Sequence, residues 1–105
     1  MQILNRRDRR RYLAVLCSTK SNDDIGFINL IKKRNSELFG HIANEKSSIR
    51  LVYSDKNKNI IIISCKLQNV DNVLSAIALT SSPLVVLDMS GTLKRLKRRL
   101  LESSE

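Results

Sequence analysis

The chain has 105 residues, 42% hydrophobic and 28% charged, so it can bury one modest core but has no room for a second domain. This composition excludes an intrinsically disordered chain. A formal net charge of +9 attracts polyanions, which are nucleic acids or anionic membrane surfaces. The longest apolar runs fall far short of the roughly 20 residues of a membrane-spanning helix, and no signal peptide is recognisable. We therefore expect a cytoplasmic protein.

The chain begins with a segment, residues 1–11, in which arginine dominates. Five of the six residues from Arg6 to Arg11 are arginine. Such a run cannot pack into a core, so it predicts a solvated basic arm. Residues 12–18 are short and apolar, contain no Gly or Pro, and predict a buried strand directly after the arm.

The next segment has the pattern of a helix. Apolar residues recur at helical spacing from Ile25 to Phe39, and Gly40 follows as a stop signal. Asp23 or Asp24 is placed to cap the first turn. We predict the first helix here.

A hairpin follows this helix. Apolar and polar residues alternate over residues 49–54, which is typical of a half-buried strand, and residues 55–59 form a polar turn. The second arm, residues 60–65, begins with four isoleucines and predicts a central strand covered on both faces.

The remaining elements complete a recognisable order. Val70 to Ala78 show helical periodicity after Asn69 as a cap, residues 84–89 predict a last strand, and a terminal helix is predicted over residues 91–101. The order β-α-β-β-α-β with an extra C-terminal helix is the ferredoxin-like or RRM-like split βαβ arrangement. We predict one such α+β domain over residues 12–102, with the first and third strands in the middle of an antiparallel sheet.

The terminal helix is strongly amphipathic. Leu93, Leu96 and Leu100 form one stripe, with Leu101 at its edge. The cations on the other side are Lys94, Arg95, Arg98 and Arg99. Two interpretations explain this pattern. In the first, the helix is solvated and its cations suit the helix dipole; in the second, its basic face meets a polyanion.

Ser90, Gly91 and Thr92 precede this helix and offer a second indication. The backbone N–H groups at a helix N-terminus favour a phosphate, and glycine lets a ligand approach the backbone closely. A plain N-cap by Ser90 or Thr92 explains the same residues, and both interpretations stay open.

The distribution of charge favours nucleic acid. Residues 6–11 and 94–99 each hold five cations, together ten of the nineteen Lys and Arg residues. Arginine, which pairs bidentately with phosphate, supplies all five in the arm. The predicted RNA-binding residues are Arg6, Arg7, Arg9, Arg10, Arg11, Ser90, Gly91, Thr92, Lys94, Arg95, Arg98 and Arg99.

RNA is preferred to DNA because no helix-turn-helix or zinc-finger pattern is present and a basic helix on an RRM-like sheet suits irregular RNA. The strand over residues 60–65 has no aromatic residue on which a base could stack. We therefore expect contacts to phosphates, with weak sequence preference and steep salt dependence.

The inventory of reactive residues argues against catalysis. His41 is the only histidine, and with Cys17 and Cys65 it provides three soft ligands where a structural zinc site needs four. We expect His41 in a loop after the first helix and both cysteines buried and reduced. No nucleophile has a recognisable base, so we predict no catalytic residue, metal or cofactor on this chain.

Four segments carry a resemblance to a known family. They are residues 10–13, 38–40, 61–66 and 90–95, and in this order along the chain they resemble the archaeal and eukaryotic ribonuclease P protein component 2, in particular its archaeal type. Ser64 stands where members of that family often have an arginine. The resemblance covers nearly the whole chain.

This resemblance implies a subunit of the endonuclease that removes the 5′ leader from precursor tRNA. It implies pairing with protein component 3, support of the catalytic RNA whose bound Mg²⁺ carries out hydrolysis, and a position near RNA for Ser90, Gly91, Thr92 and the cations after them. Another structured-RNA-binding module, such as a ribosome-associated protein, is the alternative. A membrane-surface protein is disfavoured because the terminal helix has no Trp or Phe.

Overall fold

The computed structural model describes residues 9–17, 24–80 and 84–103, which form a four-stranded antiparallel sheet with helices on both faces. The strands in these ranges are β1 (Arg10–Cys17), β2 (Arg50–Asp55), β3 (Ile60–Lys66) and β4 (Leu84–Ser90). The helices there are α1 (Asp24–Phe39), α2 (His41–Ser47), α3 (Val70–Ala78) and α4 (Leu93–Ser103). Among these helices, none is long and apolar enough to cross a membrane.

The strand order is β2-β3-β1-β4, which confirms that β1 and β3 occupy the middle of the sheet. Both strands are apolar on each alternation, and all residues of β3 from Ile60 to Cys65 are buried. A strand buried on both faces needs side chains that avoid water on both sides, which the isoleucine run provides. The split βαβ prediction is therefore confirmed.

The first face of the sheet, which we call the α1/α3 face, carries the larger core. Its strand residues include Leu13, Val15, Ile61 and Ile63, and they pack against apolar residues of α1 and α3. Cys17 and Cys65 lie in the same cluster as free, buried thiols, as predicted. Burial raises the pKa of the Cys65 thiol to about 11, which keeps it protonated, although the nearby Arg10 charge opposes this rise.

The opposite face, which we call the α4 face, holds a smaller core. Ala14, Ile60 and Ile62 pack against Leu96, which is fully buried. α4 begins just after Ser90. Its Leu100 lies beside Ile60 at the start of β3, so the helix runs back along the sheet. The predicted leucine stripe is the side of α4 that meets this face, although the side chain of Leu101 lies outside the described part of the chain.

β1 begins two residues earlier than predicted. Arg10 and Arg11 pair with Lys66 and Cys65 of β3, so they belong to the sheet. The prediction that both residues lie in a solvated arm was wrong, because the length of β3 provides backbone partners for them. Arg6 and Arg7 fall outside the described residues, as does Asp23.

Three other local predictions need correction. His41 begins a short helix, α2, where a loop was predicted; Gly40, with φ 98°, separates it from α1. The buried amide of Asn35 donates to Asn44 Oδ1 at 3.0 Å and holds α2 against α1. Asn69 makes no side-chain capping bond to α3, and α4 begins at Leu93 rather than at Gly91.

Candidate nucleic-acid interface

The outer side of α4 presents three cations to solvent. Lys94, Arg95 and Arg98 are exposed, whereas Leu96 between them is fully buried. Among the side chains that the structure describes, none forms an ion pair with these three. All three therefore lie on the solvent side of α4, as the helical periodicity predicts.

Arg99 is different, because its guanidinium is held by β4. Its Nε donates to Asp88 Oδ2 at 2.8 Å, and its Nη2 donates to Asp88 Oδ1 at 3.0 Å and to the Met89 carbonyl at 2.8 Å. A bidentate pair of this kind fixes orientation as well as charge. These contacts fasten α4 to the edge strand of the sheet, and the RNA contact of Arg99 stays a prediction.

The Asp88–Arg99 pair leads to a prediction about acid stability. The hydrogen bond from Arg99 is the main cause that lowers the pKa of Asp88 below its ordinary value of 3.8. A carboxyl with a lowered folded-state pKa adds stability that is present above the unfolded-state pKa and is lost as the pH falls through the folded-state value. We expect the advantage of wild type over Asp88→Asn in unfolding free energy to stay constant above about pH 5 and to shrink below about pH 4.

Urea unfolding of both proteins across this pH range measures the difference. A gap between them that does not change down to about pH 2 would show that Asp88 gains nothing from its charged partner in the folded state.

The start of α4 is organised by two hydroxyl groups. Thr92 Oγ1 accepts a hydrogen bond from the Arg95 backbone N–H at 3.2 Å, which makes Thr92 the N-cap. The buried Ser90 Oγ accepts one from the Thr92 N–H at 3.3 Å. The capping interpretation is confirmed for Thr92, and both hydroxyls have internal partners.

Gly91 brings the two predicted basic segments together. A Cβ at this position would lie 3.4 Å from Arg11 Nη1, so the Arg11 guanidinium lies directly against the glycine backbone. Arg11 Nη1 also donates to the Arg10 carbonyl at 3.3 Å. The cation of β1 therefore lies beside the N-terminus of α4, where the helix dipole adds further positive potential.

Arg10 is fastened across the α4 face. Its Nε and Nη2 donate to Ser64 Oγ at 3.1 and 2.9 Å, and its Nη1 donates to Ser48 Oγ at 3.3 Å. Nη2 also donates to the Ser48 carbonyl. These bonds to two serines fix the orientation of the guanidinium. Arg9 is exposed, and its carbonyl accepts a hydrogen bond from Leu67 N–H at 2.9 Å.

The aromatic residues of the α4 face are covered by α4. Tyr12 and Tyr53 are half-buried and pack against the cluster around Leu96. Lys97 Nζ lies 4.3 Å from the centroid of the Tyr53 ring, within cation–π distance. Both rings are therefore partly covered by α4.

The sequence analysis missed Asp88 and the serines that hold Arg10. The alternation of β4 offered a signal for Asp88, because Asp88 and Ser90 lie two residues apart and therefore on one face of the strand. No comparable signal identifies Ser48, which precedes β2 and is far from Arg10 in sequence.

The fold and the exposed cations define a split βαβ protein with one strongly basic side. A family model described as the Rpp14/Pop5 family matches residues 11–101. The chain belongs to the Rpp14/Pop5 family, a family of ribonuclease P protein subunits, which confirms the resemblance noted in the sequence.

A solved structure is also similar to this chain. A chain of the cryo-EM structure of yeast ribonuclease MRP aligns with a TM-score of 0.62 and 15% sequence identity, and the alignment covers 92% of each chain. At this identity the similarity shows a shared fold. A search of curated proteins gave no match.

Proposed function

We propose that this ribonuclease P subunit binds the catalytic RNA of the enzyme and stabilises its folded form. The observation that carries the proposal is the row of exposed cations Lys94, Arg95 and Arg98 on a helix whose other side is locked to the sheet. Cations held on a rigid element neutralise closely spaced phosphates at little entropic cost. Membership of the family narrows the polyanion to the RNA of the holoenzyme.

In this proposal the chain supports removal of the 5′ leader from precursor tRNA in the cytoplasm without contributing a catalytic residue. The RNA holds the Mg²⁺ that carries out hydrolysis, and protein component 3 is the protein partner. The role of the chain is to lower the repulsion between RNA segments, which reduces the Mg²⁺ concentration that the RNA needs.

The packing of α4 argues against the membrane-surface alternative. An interfacial helix inserts its apolar side between lipids. In this protein Leu96 is fully buried, and Leu93 and Leu100 pack in the same cluster against the sheet. These three leucines of the apolar stripe are therefore occupied, and the cationic side of α4 faces solvent.

Cleavage of precursor tRNA by the cognate catalytic RNA tests the proposal. The reaction is run at moderate Mg²⁺ with protein component 3 present and this protein added or omitted, and an unrelated basic protein controls for unspecific charge effects. We expect cleavage to increase only when this protein is added. Equal cleavage with and without it would contradict the proposed function.

A further inference from the structure

The strand register brings together cations that are far apart in the sequence. Arg50 of β2 pairs with Ser64 of β3, Ser64 pairs with Tyr12 of β1, and Tyr12 pairs with Ser90 of β4. Paired residues in an antiparallel sheet point to the same face, and Tyr12 belongs to the cluster on the α4 face. Arg50 therefore lies on the α4 face, in a row that crosses the whole sheet.

A pair of cations lies one row further along. Arg10 pairs with Lys66, and each lies two residues from a member of the first row, so both point to the α4 face as well. Arg10 confirms this placement through its bonds to Ser64 Oγ. We call Arg10, Lys66 and Arg50 the transverse strip, because they lie on three adjacent strands.

α4 leaves this end of the sheet uncovered. The helix begins after Ser90 and runs in the other direction, toward Ile60, so the transverse strip lies ahead of its N-terminus. Arg50 is exposed and Lys66 is half-buried. Arg11 alternates with Arg10 along β1 and points to the opposite face of the sheet, so it does not belong to the strip.

The positive charge of this end comes from several independent sources. The strip spans β2, β3 and β1, which at a strand spacing of about 4.8 Å gives a width near 10 Å between the outer backbones. The N-terminus of α4 adds its dipole from the side. A surface of this width is suited to consecutive phosphates of one RNA strand. Its cations lie on strands rather than on loops, so their backbone positions are fixed.

We propose that the transverse strip is a second RNA-phosphate contact surface, in which Arg50 and Lys66 bind the backbone of the same RNA that the outer cations of α4 engage. The inference rests on the proposed function and extends it to two residues outside the predicted RNA-binding set. Arg10 lies in the same strip and donates hydrogen bonds to Ser64 and Ser48.

Arg50→Ala combined with Lys66→Ala tests the inference in binding of the full chain to a ribonuclease P RNA transcript. We expect affinity to fall at least about tenfold near 0.15 M salt, and the slope of log affinity against log salt to become shallower by about 1.4 to 1.8. Arg50→Lys with Lys66→Arg keeps both charges and should bind like wild type. Thermal unfolding of each variant verifies that it folds.

Lys33→Ala combined with Lys56→Ala is the matched control, because it removes two exposed cations from α1 and from the β2–β3 turn, away from the strip. Affinity of the Arg50/Lys66 variant equal to that of this control would overturn the inference. Unchanged RNA affinity with weakened binding of protein component 3 would also overturn it, in favour of an acidic protein partner. Failure of wild type to bind the RNA would instead contradict the proposed function.

Discussion

Replacement of Lys94, Arg95 and Arg98 with alanine is expected to weaken binding to the ribonuclease P RNA about 100-fold near 0.15 M salt, since each phosphate contact contributes roughly a factor of five there. The fold should survive, because all three side chains are exposed and alanine favours the helix. Arg99 is left intact in this variant because it holds α4 against Asp88. Equilibrium binding to a labelled RNA transcript measures the loss.

A variant of equal charge change provides the control for this prediction. Lys32→Ala, Lys33→Ala and Lys56→Ala together remove three cations from α1 and from the β2–β3 turn. If binding depends on the position of the cations, this control loses much less affinity than the α4 variant. Equal losses in the two variants would mean that only net charge matters and that α4 is not the contact surface.

Truncation of Leu96 to alanine should produce the largest change in stability. The side chain is fully buried between α4 and the sheet, where it packs with Ala14, Ile60 and Ile62. Removal of a buried leucine side chain costs about 2 to 5 kcal/mol through lost burial and the cavity that remains. We expect the unfolding free energy to fall by this amount in urea titrations and RNA affinity to fall with it, because α4 loses its anchor.

Two further variants show whether this loss reflects packing. Leu96→Met nearly conserves volume and should cost less than about 1.5 kcal/mol. Leu79→Ala removes a leucine that is 57% exposed, and its effect should stay within about 0.5 kcal/mol. Wild-type stability of Leu96→Ala would contradict the placement of α4 on this face.

The elements that were predicted well are those whose periodicity expresses burial directly. The isoleucine run of β3 indicates a strand covered on both faces, and the leucine stripe of α4 indicates which side packs. Each of these signals is local, and tertiary structure reinforces it. The strand order then follows from the split βαβ arrangement, which leaves β1 and β3 in the middle.

The elements that were predicted poorly depend on partners distant in sequence. Arg10 was predicted in a solvated run, but its backbone pairs with Lys66 of β3 and its side chain is held by Ser64 and Ser48. The short helix α2 has little helical pattern of its own and is held by the buried Asn35 amide from α1. Such contacts join residues that are separated in sequence, so single-sequence patterns do not reveal them.

The candidate site also contains residues that the sequence pattern placed correctly and residues that it did not reveal. Helical periodicity correctly places Lys94, Arg95 and Arg98 on the outer side of α4. Arg99 follows them on the same arc and was grouped with them, although the register of β4 brings Asp88 within its reach. Arg50 and Lys66 were overlooked because each is a lone cation in its own strand, and only the sheet brings them together.

The salt dependence of RNA affinity, measured side by side for wild type and the Lys94/Arg95/Arg98 variant, tests most directly the claim that rigidly held cations bind RNA phosphates. The log of wild-type affinity should fall steeply and linearly with the log of salt concentration. Each lost phosphate contact lowers the slope by about 0.7 to 0.9, so the variant should be shallower by about 2 to 3. Parallel lines for the two proteins would contradict this account, because they would show that α4 contributes no phosphate contacts.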